Sequence, residues 1–456
     1  MKLAFAGAGF VGIVYGAMMA KKGNSVTIYD VDEKKISALN DFCEGKKNSL
    51  PIHEEGLPTI LEQAYKEGLL RFTTDSKQAI SDAEVIFLTV GTPSDAQGRA
   101  DVRYVNAAAH TIGKVMKEDA KYKLIVTKST VPVGTAKRLE EIIGTYAVGK
   151  FDVASNPETL AEGKAVKDAE EPQRIIVGTE SERARRILSD LYAPFFFPGE
   201  KGICFMSPES AELTKYACNT YLASQVVLTN MFANLAKRYG ANWREILEAI
   251  GADPRIGKFV HPGLGFGGSC FKKDVSALCQ MMKDTGAVRE DYEVLERIIA
   301  QNEAQKHALN PLLKQVYGES LDGQTLAVWG LAFKKDTNDV RDAASLRVIP
   351  DLLQMGAHVR AHDPKAAKEF LKEIGAMDVD MANLEICKEK YAATEGADGL
   401  LIITEWITYR QPDFAELREK MRRRIIFDAK DLMNYQKMQE ETDFSYYAIG
   451  RPDIVR

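Results

Sequence analysis

Short, uninterrupted apolar runs recur along the chain, separated by stretches with helical spacing. Lys2 to Ala6 is the first, and Gly7-Ala8-Gly9-Phe10-Val11-Gly12 follows at once, leading into an apolar helix that reaches about Lys22. Ser25 to Tyr29 is the second run and closes on Asp30; Glu84 to Val90, Lys123 to Thr127 and Phe151 to Ala154 are further ones. Runs that are apolar throughout, rather than alternating, belong to strands covered on both faces, as in a parallel sheet. The last third repeats the order: a strand over Gln324 to Gly330, an amphipathic helix over Ala344 to Met355, and a strand over His358 to His362 closing on Asp363. Leu400 to Thr404 and Ile425 to Asp428 continue it. Between these regions Ser207-Pro208-Glu209 joins a capping hydroxyl, a first-turn proline and an acid, which starts a helix. Neither Gly nor Pro interrupts the chain from there to Tyr239, and Gly240 supplies the stop, so the prediction is one long helix.

The first turn carries chemistry. Gly7 permits the tight turn, Gly9 lets the backbone approach a pyrophosphate, and Gly12 lets helix and strand pack closely. The free N–H groups and positive dipole end of the helix suit phosphates. Asp30 stands where a carboxylate accepts hydrogen bonds from ribose hydroxyls and repels a 2′-phosphate, which selects NAD over NADP. A glycine turn that merely packed a helix on a strand would not call for that acid. Gly91-Thr92-Pro93, Ser129-Thr130-Val131-Pro132 and Ser155-Asn156-Pro157-Glu158 follow later strands, at the sheet edge where ligands bind. The predicted class is α/β: two doubly wound Rossmann-like domains joined by a central helical domain with a long spine helix. The expected boundaries are 1–205, 206–305 and 306–456.

A length of 456 residues agrees with more than one core. The net charge of -5 argues against nucleic acid held by bulk electrostatics, so an anionic ligand would need local basic residues. Cys43, Cys204, Cys218, Cys270, Cys279 and Cys387 form no CxxC pair. Their spacing suggests neither a metal site nor a disulfide framework, and a reducing cytoplasm is the expected setting. Leu3 to Ala20 is uncharged but holds four glycines, which favours strand, turn and helix over a membrane span.

Lys215 and Asn219 lie four apart on the long helix and share a face, where a cation and an amide donor suit an oxyanion. Taken alone, a solvated lysine beside a polar neighbour is the commoner arrangement. The segment Ile256 to Asp274 changes the balance. Gly257, Gly263, Gly265, Gly267 and Gly268 make a loop able to wrap closely around a ligand, and Cys270 closes it before a helix with Asp274 in its first turn. Most lone cysteines are small buried hydrophobes. One on a glycine loop, at a helix N-terminus beside Lys272 and Lys273, is placed to react as thiolate.

The string Gly265-Phe266-Gly267-Gly268-Ser269-Cys270-Phe271-Lys272-Lys273-Asp274 resembles the nucleophile motif of the UDP-glucose/GDP-mannose dehydrogenase family. The resemblance extends over nearly the whole chain. It takes in Gly7 to Gly12, Val90 to Pro93, Ser129 to Thr135, Asn156-Pro157-Glu158 with Glu162-Gly163, Lys215 with Asn219, and Phe333-Lys334 through Arg341. Thr159 departs from an aromatic position and Lys272 from a frequent proline. The resemblance implies NAD-dependent, four-electron oxidation of a nucleotide sugar to its acid, UDP-glucose to UDP-glucuronate foremost. The same chemistry on a UDP-N-acetylhexosamine or GDP-mannose is the alternative, and a non-catalytic nucleotide-binding protein is the remote one. It further implies Cys270 as nucleophile and Asp274 as base through a water held with Thr130. Lys215 and Asn219 become oxyanion donors, and Glu158 the base for thioester hydrolysis. Gly7, Gly9, Phe10, Val11, Gly12, Asp30, Lys35, Thr92, Ser129, Thr130, Glu162, Lys273 and Arg341 fall on the cofactor side. Glu158, Lys215, Asn219, Arg255, Phe259, Gly267, Phe333 and Lys334 fall on the substrate side. A homodimer through the central domain is implied as well, with Arg255 offered to the neighbouring subunit.

Overall fold

The computed structural model describes residues 1–46, 50, 52–197, 202–254, 256 and 261–456. It forms two compact units, Met1–Cys218 and Asn219–Arg456, and the division falls inside one long helix, Pro208–Arg238.

The first unit is built on an eight-stranded sheet of β1 (Lys2–Ala6), β2 (Ser25–Tyr29), β3 (Leu70–Thr73), β4 (Val85–Leu88), β5 (Lys123–Thr127), β6 (Phe151–Ser155), β7 (Ile175–Gly178) and β8 (Ile203–Met206). The order is β3-β2-β1-β4-β5-β6-β7-β8, with β6 and β7 the one antiparallel pairing of its strands among the described residues. The central strands are apolar throughout because each face meets its own core. Leu3, Phe5, Val85, Phe87, Leu124 and Val126 enter one cluster, while Ala4, Ala6, Ile86, Leu88 and Ile125 enter the other. Phe5 stacks on Phe87 across the strands with ring centroids 4.7 Å apart. The order reverses between β1 and β4, which opens the ligand crevice beyond their carboxyl ends. The uncharged stretch Leu3 to Ala20 is thus β1, a glycine turn and the buried helix Phe10–Lys21. Among the described residues no helix is long and apolar enough to cross a membrane. Strands β3, β7 and β8 escaped the sequence reading: each has four residues, β3 alternates, and the edge strand β8 is only partly buried.

The second unit holds a six-stranded, wholly parallel sheet of β9 (Thr325–Trp329), β10 (His358–His362), β11 (Leu384–Ile386), β12 (Gly399–Ile402), β13 (Ile425–Asp428) and β14 (Ser445–Ala448). Its order, β11-β10-β9-β12-β13-β14, reverses at β9/β12 just as the first sheet does at β1/β4. Ahead of this sheet lie the helices Phe271–Asp284 and Arg289–Gln305, which pack with Ala223 and Val227 of the long helix around Phe266, Val275 and Leu295.

The long helix itself spans about 46 Å. Ser207 caps it, its Oγ accepting the Ser210 N–H at 3.2 Å. Glu212, Lys215, Tyr216, Asn219, Ala223, Val227, Asn230 and Ala233 are all buried and follow helical spacing, so Lys215 and Asn219 sit on the inward stripe rather than in solvent.

Candidate active site

The described residues after β1, β2, β4, β5 and β6 converge on one edge of the first sheet. Gly7 has φ +114°, and a Cβ there would lie 2.8 Å from the Val90 nitrogen. A Cβ on Gly12 would lie 2.0 Å from the Gly7 carbonyl, which is the close helix–strand packing expected of it. Gly9 differs: a Cβ there meets no protein atom nearer than 4.0 Å. Nothing inside the protein requires glycine at that position, whereas a pyrophosphate laid over the turn would. Gly9 also begins the helix Phe10–Lys21, whose first N–H groups receive no side-chain cap, with Phe10 and Val11 half-buried in its first turn. These features fit a dinucleotide.

Asp30 is held in place at the end of β2. Its Oδ2 accepts the Ala8 N–H at 2.8 Å and Lys35 Nζ at 3.0 Å, and its Oδ1 accepts the Asp32 N–H at 3.0 Å. Partial burial pushes its carboxyl up, but the hydrogen bonds from Asp32, Lys35 and Ala8 outweigh this and hold it below the ordinary range. Thr92 Oγ1 donates to the Thr130 carbonyl at 2.8 Å, and Ser129 Oγ to the Val90 carbonyl at 2.6 Å, which locks the loops after β4 and β5 together. Glu162 is half-buried in a loop pinned by Glu54, whose carboxylate accepts the Gly163 and Ala165 N–H groups at 2.5 and 3.0 Å.

Beyond β6, Glu158 Oε1 and Lys215 Nζ form an ion pair at 2.6 Å with side chains 9% and 8% exposed. Glu158 also receives the Leu160 N–H at 2.6 Å. One turn before Lys215, buried Glu212 accepts the Gly134 and Ala136 N–H groups at 2.7 and 2.9 Å and Ser155 Oγ at 3.0 Å. It thereby caps the helix Thr135–Gly144 and ties β6 to the long helix. The sequence reading did not single out Glu212; a carboxylate three residues before Lys215 on the same face was its available signal.

In the second unit Cys270 occupies the N-cap of the helix Phe271–Asp284, half-buried, with Sγ 3.5 Å from Ser269 Oγ. Asp274 follows one turn later, and its N–H donates to the Cys270 carbonyl at 2.8 Å. Its carboxylate is buried and bonded at both oxygens: Asn219 Nδ2 reaches Oδ2 at 2.5 Å, and Lys273 Nζ contacts Oδ1. The glycine loop is fixed by amides that sequence reasoning missed. Asn302 pairs with both N–H and carbonyl of Phe266 at 2.7 and 3.0 Å, while Asn230 and Gln305 take the N–H and carbonyl of Gly263 at 2.8 Å each. Buried amides interrupting the apolar faces of helices were the signal for them.

The loop after β9 meets the cysteine loop through its backbone. The Gly268 N–H donates to the Arg341 carbonyl at 2.7 Å, and a Cβ on Gly267 would lie 2.6 Å from the Asp342 carbonyl and 2.9 Å from Phe333. Gly267, Phe333 and Arg341 are therefore brought together. The Arg341 guanidinium is largely exposed and forks onto Asp339, and Lys334 Nζ lies 5.3 Å over the Phe333 ring. Lys272, at the position that departs from proline, joins Glu303 at 3.2 Å in a network with Lys306 and Asp342. Arg255 and Phe259, with Lys258, lie outside the described residues.

The acid after β10 has a different task from Asp30. Asp363 occupies in the second sheet the position of Asp30 in the first. Yet its Oδ2 accepts the Leu331 and Ala332 N–H groups and Trp406 Nε1, and its Oδ1 accepts those of Lys365 and Ala366. Five donors use up that carboxylate, so it pins its own loop and is not a ribose acceptor.

An open glycine cradle with an acid behind the second strand fits an NAD-binding α/β protein, and comparison with known proteins makes it an oxidoreductase. Known proteins agree along the whole chain. Family models for the NAD-binding, central and UDP-binding domains of UDP-glucose/GDP-mannose dehydrogenases match residues 1–196, 209–304 and 327–435. UDP-glucose 6-dehydrogenase TuaD of Bacillus subtilis is 40% identical, over 99% of this chain and 94% of that protein. The UDP-glucose 6-dehydrogenase of Pseudomonas aeruginosa is 39% identical over 99% and 98%. A solved UDP-glucose dehydrogenase from Pyrobaculum islandicum superposes with a TM-score of 0.86 at 33% identity, covering 98% of this chain and 97% of its own. The chain belongs to the UDP-glucose/GDP-mannose dehydrogenase family.

Proposed function

We propose that the chain oxidises the primary alcohol of UDP-glucose to the carboxylate of UDP-glucuronate, consuming two NAD and one water per sugar. The observation that carries this reading is Cys270 at a helix N-cap with Asp274 one turn on, bonded to Asn219 and Lys273. Stopping at the aldehyde needs no nucleophile, whereas going on to the acid does. Gly7 to Gly12, Asp30, Thr92 and Ser129 would hold NAD, which would supply the hydride acceptor for both oxidations. Asp274 takes the alcohol proton through a water held with Thr130. Lys215 and Asn219 donate to the alkoxide. The Cys270 thiolate adds to the aldehyde carbon, giving a hemithioacetal whose oxidation leaves a thioester. Glu158 then takes the proton of the water that attacks the thioester carbonyl, and Cys270 departs as thiolate. Each donor in this scheme rests on a carboxylate, Lys215 on Glu158 and Asn219 on Asp274, so a substrate oxygen competes with that partner.

Phe333 and Lys334 are assigned to the nucleotide sugar, with Gly267 admitting it close to the backbone, and Arg341 to the pyrophosphate of one ligand. The division 1–205, 206–305 and 306–456 gives each task its own domain. A homodimer through the long helix is supported by its exposed apolar residues Tyr221, Leu228, Met231 and Leu235, and sedimentation tests it. None of the six cysteines is in a disulfide, which supports a cytoplasmic setting.

Counting NADH formed per sugar consumed, across a panel of nucleotide sugars, tests the function. Two per UDP-glucose is expected. One per sugar with an aldehyde product overturns the four-electron scheme, and preference for a UDP-N-acetylhexosamine or GDP-mannose overturns the substrate.

A further inference from the structure

Lys128 is a buried cation that no step above uses. It follows β5 directly and is 2% exposed. Its Nζ donates to Asn156 Oδ1 at 3.0 Å and to the Asn156 carbonyl at 3.4 Å, and lies 3.7 Å from the centroid of the Tyr15 ring. Asn156 is fully engaged besides: its Nδ2 donates to the Ile176 carbonyl at 2.6 Å, and its Oδ1 also accepts the Tyr192 hydroxyl. Tyr15, on the helix of the glycine turn, hydrogen-bonds Thr159. These contacts enclose the turn Asn156-Pro157-Glu158 that presents Glu158 to Lys215.

Burying an ammonium among neutral partners costs more than burying a methionine of similar length. Lys123, five residues earlier, is equally buried but has a carboxylate, Asp119, at 3.0 Å. The charges that act on Lys128 are those of Glu158 and Lys215. Around them, Arg174 lines the same small cavity and Asp168 acts on Tyr15, while the facing hydroxyls are those of Tyr15 and Tyr192.

We propose that Lys128 is a positioning residue for the Glu158–Lys215 pair, fixing the turn that carries Glu158 and setting by its charge how the pair holds its proton. The proposal rests on the reading that Glu158 and Lys215 serve the reaction. Charged, Lys128 attracts the Glu158 carboxylate and repels the Lys215 ammonium; neutral, it does neither. Burial first, and Lys215 after it, push the Lys128 amine down to about 7, against the opposing pull of Glu158. Its charge therefore changes near neutrality, and the base for thioester hydrolysis feels the change.

The test compares full-length wild type, Lys128→Met and Lys128→Arg with UDP-glucose and NAD. It reads first-turnover NADH, steady-state kcat and melting temperature between about pH 6 and pH 9. Lys128→Met is expected to keep first-turnover NADH formation and, below neutrality where wild-type Lys128 is charged, to lose roughly tenfold in kcat, the size of effect of one pKa unit. The inflection of kcat near neutrality should vanish with it. Lys128→Arg should keep most of the rate and also lack the inflection, since a guanidinium stays charged. A lysine deprotonated in the folded state but charged when unfolded stabilises the protein increasingly as pH rises above its folded value. The melting temperature of wild type should thus climb relative to Lys128→Met from neutral to alkaline pH. An inflection that persists in Lys128→Met, or equal loss of first-turnover and steady-state rates, overturns the proposal. Should wild type make no acid from UDP-glucose, the functional reading fails by itself, and the melting comparison still decides whether Lys128 titrates. A difference constant with pH overturns it. If Lys128→Met does not fold, a wild-type inflection in Lys128→Arg has the same effect.

Discussion

Asn219 donates to Asp274 at 2.5 Å, joining the long helix to the first turn of the helix that Cys270 caps. With Lys273 on its other oxygen, Asp274 is a buried carboxylate held by an amide and an ammonium. An amide can turn from one acceptor to another without a change of charge, so Asn219 suits a group that must bind both Asp274 and a transient oxyanion.

Replacing Asn219 with Ala removes that donor from both partners. Losing one oxyanion donor costs about 10²–10³ in kcat, and the expected KM for UDP-glucose changes little, because the interaction matters in the transition state. Steady-state NADH formation measures both. A variant that raises KM and spares kcat would place Asn219 in ground-state binding alone.

Asp30 and Lys35 predict the cofactor preference. In Asp30→Ser the ribose loses a charged acceptor, worth about 1.5–3 kcal/mol, or roughly 10–150-fold in kcat/KM for NAD. Lys35, now 3.0 Å from the Asp30 carboxylate, is released to meet a 2′-phosphate, so use of NADP should rise. The Asp30→Ser, Lys35→Ala double variant should lose that gain. Equal kinetics with both cofactors in wild type would contradict the reading of Asp30.

The features legible in the sequence were those whose physics is local. The left-handed φ of Gly7 and the approach of Gly12 to the Gly7 carbonyl lie within one turn, and Ser207-Pro208 opens its helix without help from elsewhere. Cys270 and Asp274 stand one turn apart on any helix. Partners far along the chain were not legible: Asn219 finds Asp274 55 residues on, and Lys215 finds Glu158 across a similar stretch. Asp363 ends the second strand of its sheet as Asp30 does, and nothing local to it tells their tasks apart. Trp406, 43 residues away, is among the donors that make it a loop pin instead. The short edge strands β3, β8 and β11 escaped because pairing, more than their own apolar content, makes them strands.

Gly267 and Gly268 should differ in how they tolerate a methyl group. Gly268 has φ +83° and a Cβ would stand 3.0 Å from the Phe333 ring, so Gly268→Ala costs about 1–2 kcal/mol for the backbone and more for the clash. Truncating Phe333 to Leu should recover part of that. At Gly267 the nearest atom is the Asp342 carbonyl, which no side-chain change moves. Melting temperatures of the two alanine variants, with and without Phe333→Leu, give the comparison. Equal rescue at both positions would refute this account of the loop.

Glu158 and Lys215 allow the sharpest energetic test. Both are buried, so removing one leaves the other charged without its partner, at a cost of about 3–5 kcal/mol, whereas removing both charges costs much less. Glu158→Gln and Lys215→Met should each loosen the first unit, and the double variant should be more stable than the sum of the two predicts. All three tryptophans, Trp243, Trp329 and Trp406, lie in the second unit, so fluorescence would report on the wrong half. Hydrogen exchange of peptides covering β5 and β6 reads opening of the first unit directly. A coupling above about 1 kcal/mol is expected between residues in contact. Strict additivity would mean that the pair contributes nothing as a pair. Activity separates the roles once more: Glu158→Gln should still release NADH in the first turnover and then stall with the sugar on Cys270, visible as added mass on that residue. Lys215→Met should be slow from the first hydride onward.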